Sequence, residues 1–192
     1  MSQKSKLTPK ELILCSLFAA LIAIGAWIQI PVPFMDYFTL QFLFVLLSGM
    51  LLGPKLGLLS AAVYVAVGLI GFPVFAAGGG IGYVFRPSFG YLIGFIATAF
   101  TVGFLCDRSI HLTFCNTLFI AFSGMILTYA VGLSYKYILL NFYLNEPAPF
   151  FILLLSAFPL DIPGDSVLCI AAASLVPRLK KILERENLIE NR

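Results

Sequence analysis

Residues Gly71 to Tyr91 read GFPVFAAGGGIGYVFRPSFGY, and this stretch interrupts an otherwise nearly continuous series of apolar segments. It holds too many glycines and prolines for a simple membrane helix, because both residue types are unfavourable in helix interiors. It is also too apolar for an ordinary solvent-exposed loop, and Arg86 is its only charged residue. We interpret it as the lining of a ligand pocket around which the other segments are arranged.

The composition predicts the class of protein. Of the 192 residues, 60% are hydrophobic and 11% are charged, whereas a soluble globular domain carries about 25% charged residues. The mean hydropathy of +1.01 therefore indicates an integral membrane protein. The net charge of +3 is too small to favour nucleic acid as a partner. We predict an all-α, polytopic membrane protein in which residues 1–192 form one membrane-embedded domain.

The chain has room for roughly six membrane-spanning helices of about 20 residues each. Spans in lipid must be helical or closed barrels, because no water satisfies their backbone polar groups. The sequence Asp161-Ile-Pro-Gly-Asp165 interrupts the last apolar segment. We expect residues 148–160 to form an outer hairpin or shallow helix, and the sixth span to begin near Pro163. The predicted bounds are about 11–30, 39–53, 55–71, 88–106 and 112–137, with the sixth helix within 148–182.

The distribution of basic residues predicts the orientation. With six spans, most lysines and arginines fall on one side, which the positive-inside rule assigns to the cytoplasm. The N- and C-termini are therefore predicted to be cytoplasmic, and Arg86 and Lys136 fall on the outer side. Lys136 follows Tyr135 at a helix end, and we interpret it as an anchor whose ammonium reaches the membrane interface. The topology leaves Arg86 without such an explanation.

Two aspartates and Arg86 are the charged candidates for ligand binding. A carboxylate within the membrane costs at least a few kcal/mol and usually marks a functional site. Asp165 precedes Arg178 by a distance of roughly 20 Å along a helix, which puts it inside the membrane. We expect Asp165 to bind a ligand, with helix capping as the alternative. For Asp161 we consider a ligand role, a helix cap or a surface position. A guanidinium offers two hydrogen bonds to a carboxylate, so Arg86 could hold an anionic ligand group or meet lipid headgroups.

Uncharged candidates complete the predicted pocket. When residues are counted along the helix from Lys55, the predicted depth of Gln41 in the membrane is similar to that of Asp165. Gly79 lies in a glycine run that lets the backbone approach a ligand, the alternative being a flexible outer loop. Tyr83 and Tyr91 could form aromatic walls, although aromatic residues are also common at membrane interfaces.

Small residues on the first helix predict close helix packing. Cys15, Ala19 and Ala23 are spaced four residues apart and share one face. Such a face permits close approach within the bundle or to a partner protein, and the spacing leaves both uses open. The four cysteines lack metal-binding spacing, so we expect no metal site. The chain has no Walker loop, no HExxH motif and no Ser/His/Asp set. We therefore expect no catalytic residues, no enzymatic activity and no cofactor.

Several short motifs together resemble BioY, the biotin-binding S component of energy-coupling factor transporters, over about residues 10–180. This chain departs from the family pattern in two places. The family commonly has lysine where this chain has Leu168, and commonly has Gly-Pro-Thr-Gly-Gly-Tyr where this chain has Arg86-Pro-Ser-Phe89-Gly-Tyr91. The motifs are Pro31-Val-Pro33 with Thr39-Leu-Gln41, Gly49-Met-Leu-Leu-Gly53-Pro54, Gly71-Phe-Pro-Val-Phe75, Pro87-Ser-Phe-Gly90-Tyr91 and Pro163-Gly-Asp165.

The resemblance implies a six-helix bundle in the bacterial cytoplasmic membrane that captures biotin from outside. It also implies association with a transmembrane T component, docked on the face of Ala19 and Ala23, and with two ATP-binding subunits. For biotin, we expect Asp165, with help from Gln41, to accept hydrogen bonds from the ureido N–H groups while Arg86 holds the carboxylate. An S component for another small vitamin or metabolite is the alternative.

Overall fold

The computed structural model describes residues 7–30, 38–109, 112–157, 161–186 and 188–189. The Pro31-Val-Pro33 motif lies outside these residues. The described elements are helices apart from a two-stranded ribbon, as predicted for an all-α protein. They are α1 (Pro9–Trp27), β1 (Gln29–Ile30), β2 (Phe38–Thr39), α2 (Gln41–Leu52), α3 (Pro54–Ile70), a 3-10 helix (Ile81–Phe85), α4 (Phe89–Arg108), α5 (Phe114–Ile138) with a π-helical extension (Leu139–Tyr143), α6 (Phe150–Ala157) and α7 (Asp161–Arg185).

Local sequence signals account for several helix ends. Thr8 caps α1 in a capping box with Glu11: the Thr8 hydroxyl accepts from the Glu11 N–H, and the Glu11 carboxylate accepts from the Thr8 N–H at 2.7 Å. Gly53 takes a φ of +83°, which lets α2 turn directly into α3 before Pro54. The first five predicted helices agree with α1 to α5 to within three residues at each end.

The last apolar segment is divided as the sequence indicated. Residues Phe150–Ala157 form the separate short helix α6, and α7 begins at Asp161. This start is two residues before the predicted one, so Pro163 lies in the first helical turn, where its missing N–H leaves no hydrogen bond unmade.

Three helices of the described chain are long and apolar enough to cross a membrane: α1, α4, and α5 with its extension. α6 and α7 would provide a fourth crossing if they form one bent span. α2 and α3 are apolar but have only 12 and 17 residues. The chain is thus a multi-pass membrane protein, while the count of six spans stays a prediction.

Glycines hold α2, α3 and α4 in close contact at one end of the bundle. A Cβ on Gly57 would lie 2.6 Å from the Gly49 Cα. A Cβ on Gly103 would lie 2.6 Å from the Pro54 nitrogen and 2.7 Å from the Gly49 carbonyl oxygen. Only glycine leaves room for backbones at these distances. The Gly49-to-Pro54 motif therefore builds the scaffold.

Each end of the bundle is formed by a different set of helix ends. The start of α1, the α2–α3 turn, the end of α4 and the C-terminal half of α7 surround a cavity of about 480 Å³ that Lys10, Gly53, Asp107 and Lys180 help to line. The start of α4, the end of α5 and the start of α7 meet at the opposite end. This arrangement fits the predicted charge asymmetry, and the side of the membrane that each end faces stays a prediction.

Candidate ligand-binding site

A cavity of about 100 Å³ lies where α2, α4, α5 and α7 meet β2 and the segment between α3 and α4. The residues around it combine aromatic rings, hydroxyl groups, one amide, two carboxyl groups and one ammonium group. An apolar cavity with a few convergent polar groups is the usual form of a small-molecule site. The lining residues are Phe38, Thr39, Gln41, Phe42, Ala76, Ala77, Tyr83, Ser88, Tyr91, Leu92, Phe95, Thr128, Tyr129, Lys136, Asp161 and Asp165.

The two aspartates of α7 reach this cavity from one helix face. Asp161 and Asp165 are four residues apart, one helical turn, so both side chains can line the same wall. The Tyr129 hydroxyl on α5 donates a 2.8 Å hydrogen bond to the Asp165 carboxylate. Tyr129 is itself only 8% exposed. Asp165 is thus held by a neutral donor and keeps acceptor positions for a ligand.

Gln41 is fixed by hydrogen bonds on both ends of its amide. It is 4% exposed at the start of α2, where its Nε2 donates to the Tyr64 hydroxyl at 2.5 Å and its Oε1 accepts from Thr39 at 3.2 Å. The Tyr64 hydroxyl in turn donates to the Val74 carbonyl at 3.2 Å. Since a carbonyl oxygen has two lone pairs, Gln41 Oε1 retains one for a ligand donor.

The segment between α3 and α4, residues 71–88, covers the cavity and is attached to the bundle at several points; we call it the cover segment. Gly71, Gly78 and Gly80 have φ angles of +119°, +110° and +103°, which L side chains rarely adopt. The Trp27 indole donates to the Pro73 carbonyl at 3.1 Å. At the other end, the Tyr135 hydroxyl donates to the Val84 carbonyl.

Aromatic rings form two walls of the cavity. Tyr91 and Tyr129 meet edge to face with ring centroids 5.8 Å apart, and Tyr83 packs on the buried Phe75 at 4.5 Å. Gly132 makes the first wall possible, because a Cβ there would lie 2.6 Å from the Tyr91 ring. Offset and edge-to-face pairs of this kind hold rings in defined orientations.

Five of the seven residues predicted to bind ligand line this cavity: Gln41, Tyr83, Tyr91, Asp161 and Asp165. Two do not. Arg86 is exposed, and its guanidinium lies over the Tyr83 ring, 5.4 Å from the ring centroid. Gly79 is exposed, and its Cα is packed against the Phe72 backbone. The functional roles of all seven stay predictions.

The small-residue face of α1 is turned into the bundle. Cys15 and Ala19 are 3% and 8% exposed, Ala23 is half-buried, and the Cys15 thiol donates to the Leu56 carbonyl of α3 at 3.5 Å. α1 presents Ser16 and Ala20 outward at this level. Close packing within the bundle is thus one use of this face, while docking of a T component at Ala19 and Ala23 stays a prediction.

Sequence reasoning missed Tyr129 and Lys136 as lining residues. They are seven residues apart on α5, two helical turns, and so lie on one face together. That spacing was visible in the sequence, but nothing in it indicated that this face of α5 points at α7. Lys136 was interpreted as an interfacial anchor, whereas the structure places it, half-buried, in the cavity lining.

The chain matches the BioY family over residues 1–185. It belongs to the BioY family. Among its relatives, the "Probable biotin transporter BioY" of Lysinibacillus sphaericus is 42% identical over 190 residues, covering 99% of this chain and 95% of the relative. The "Biotin transporter BioY" of Thermotoga maritima is 38% identical over 177 residues, covering 90% of this chain and 97% of the relative.

The fold also resembles a solved structure. The crystal structure of the S-component for biotin from an ECF-type ABC transporter aligns with a TM-score of 0.78 at 30% identity, covering 92% of this chain and 95% of that one. The sequence-based assignment to the BioY family is confirmed. Because the relatives are named as transporters, the chain is a transport protein and not an enzyme.

Proposed function

We propose that this chain captures biotin and serves as the substrate-binding S component of an energy-coupling factor transporter in the bacterial cytoplasmic membrane. The observation that carries the proposal is the cavity built around the Asp165–Tyr129 hydrogen bond, in a fold that matches an S component for biotin. Biotin has a ureido ring with two N–H donors, an apolar bicycle and a tail that ends in a carboxylate. The cavity offers complementary groups for the ring and the bicycle.

The ureido ring is the part that Asp165 recognises in this proposal. An ionised carboxylate is an acceptor only, and hydrogen bonds to it are stronger than neutral ones. Tyr129 occupies one acceptor position on Asp165, and the remaining positions accept from the ureido N–H groups. Gln41 contributes the free lone pair of its Oε1. A ligand without matching donors should bind poorly, because Asp165 and Gln41 would lose their contacts with water and gain no hydrogen bonds in return.

The bicycle and the tail lie against the aromatic walls. Tyr91, Tyr83 and Phe38 provide apolar surface, and the glycine-rich cover segment lies over the cavity mouth. Burial of apolar ligand surface contributes about 25 cal/mol per Å² before the costs of binding are subtracted. The ligand's carboxylate points away from Asp165, because two carboxylates repel each other in a cavity of low dielectric.

Uptake against a gradient requires partners in this proposal. The sequence has no Walker loop, so ATP-driven transport requires separate ATP-binding subunits, coupled through a transmembrane T component. We propose the arrangement of one T component and two ATP-binding subunits. Biotin is the transported substrate, and the protein works without a cofactor or metal.

Titration of the purified protein with biotin tests the proposal. We expect saturable heat at micromolar biotin, and a loss of affinity of about 100-fold in Asp165→Asn, because hydrogen bonds to charged groups contribute roughly 1.5–3 kcal/mol each. Asp107→Asn, which removes an exposed carboxyl at the opposite end of the bundle, is the matched control and should bind normally. Absence of heat at micromolar biotin in the wild type would reject the function. Thiamin, riboflavin and pantothenate serve as competing ligands, and tighter binding of one of them would make that vitamin the substrate instead of biotin.

A further inference from the structure

Lys136 is the cation of the cavity. It lies on α5, two turns beyond Tyr129 towards the end of the helix, which corresponds to about 10 Å along the axis. Its side chain is half-buried and lines the cavity together with Asp161 and Asp165. An anchor that served only the membrane interface would direct its ammonium towards the lipid headgroups rather than line a cavity.

Charge balance in the cavity requires a cation near any anionic ligand group. The ionisable side chains in the lining that can carry a full charge are the carboxyl groups of Asp161 and Asp165 and the amine of Lys136. A ligand carboxylate entering this cavity meets repulsion from both aspartates, and the interaction is strong where water is scarce. Contact with Lys136 offsets that repulsion. Arg86 is exposed and is not among the residues that line the cavity.

The positions of the charged groups match the two ends of the ligand. Asp165 is hydrogen-bonded to Tyr129, whereas Lys136 lies two turns further along the same face of α5. The first position suits the ureido ring, and the second suits the end of an extended tail. Leu168, at the position where the resemblance implies a lysine, is 6% exposed and apolar. The cation of this pocket therefore comes from α5 and not from α7.

We propose that the ammonium of Lys136 binds the carboxylate of the ligand and makes the site selective for a carboxylate over an uncharged tail. This inference rests on the proposed function, because it assigns the carboxylate end of biotin. It replaces the sequence-based expectation that Arg86 holds this group.

Binding of biotin and of biotin amide to single variants tests the assignment. We expect the wild type to prefer biotin to biotin amide by at least about tenfold. Lys136→Gln should weaken biotin binding by about 30-fold, the lower end of the effect of truncating a buried charged partner, and leave biotin amide within about threefold. Arg86→Gln should retain the preference. Lys55→Gln, which removes an exposed charge at the opposite end of the bundle, is the matched control.

Each outcome decides the assignment. Retained biotin affinity is also expected in Lys136→Arg, which keeps the positive charge. An unchanged preference in Lys136→Gln, or loss of preference in Arg86→Gln, would overturn the role of Lys136. Equal loss of both ligands in a folded Lys136→Gln would instead indicate a structural pairing with Asp161, and also overturns it. If that variant does not fold, Lys136→Met provides the same comparison. A wild type that binds no biotin rejects the proposed function itself, so the two failures are distinguishable.

Discussion

The Tyr129 hydroxyl on α5 donates a 2.8 Å hydrogen bond to the carboxylate of Asp165 on α7, across a sequence separation of 36 residues. This bond joins two helices at the cavity and orients the carboxylate. Helix capping alone would not explain this contact, because a capping carboxylate accepts hydrogen bonds from backbone N–H groups.

Tyr129→Phe should weaken biotin binding by about tenfold, equivalent to about 1.4 kcal/mol. The variant keeps the edge-to-face contact with Tyr91 but leaves Asp165 without its positioning donor. Biotin and biotin amide should lose affinity equally, since the change lies at the ureido end. Calorimetry with both ligands measures this. Tyr137→Phe, which keeps its ring contact with Phe150, is the control. Wild-type affinity in Tyr129→Phe would argue against the positioning role.

Gly164→Ala should impair binding more than folding. A Cβ on Gly164 would lie 2.7 Å from Cζ of Phe38, so the ring must move, and Phe38 lines the cavity. We expect biotin affinity to fall roughly three- to tenfold, with little change in melting temperature. Overpacking usually costs about 1–3 kcal/mol, and moving the Phe38 ring aside should cost only part of that. In a Phe38→Leu background the same alanine should have a smaller effect, and a double-mutant cycle measures the difference. Additive effects would indicate that the two residues are not coupled.

Gly103→Ala should lower the melting temperature of the detergent-solubilised protein. The added methyl group would meet the Pro54 nitrogen and the Gly49 carbonyl oxygen, and neither backbone group can move independently. Because both clashing groups are backbone, we expect a cost near the upper end of the usual range of about 1–3 kcal/mol for overpacking, which exceeds the gain of about 1 kcal/mol that alanine usually brings to a helix. Gly82→Ala is the control, since a Cβ at Gly82 meets no heavy atom within 4 Å. Equal stability of the two variants would show that α2, α3 and α4 tolerate wider spacing than the structure has.

Asp165 and Gln41 could be found from the sequence, because a polar residue inside an apolar segment is visible there and costly in lipid. Asp161 was found with Asp165, since both flank the break at Pro163. The aromatic residues were harder to assign. Tyr83 and Tyr91 lie next to the glycine-rich segment, but Tyr129 lies within a long apolar helix, where a tyrosine can face lipid, a neighbouring helix or a cavity.

Residues of the glycine-rich segment line the cavity, but its arginine, Arg86, is exposed and lies outside the cavity lining. Counting residues along a helix estimates depth in the membrane and carries no information about the direction of a side chain from an irregular segment. Here Arg86 caps the 3-10 helix, is exposed, and has its guanidinium over the Tyr83 ring.

The sequence by itself determined that this is an all-α membrane protein, because lipid requires each span to satisfy its own backbone hydrogen bonds. It also located the first five helices to within three residues at each end. Only the tertiary structure decided which basic side chain lines the cavity. The rotation of α5 about its axis depends on how it packs against α4 and α7, for example where Gly132 admits the ring of Tyr91. That packing brings Tyr129 to Asp165 and places Lys136 in the lining of the same cavity. Contacts between residues distant in sequence are not encoded in the spacing along any one helix.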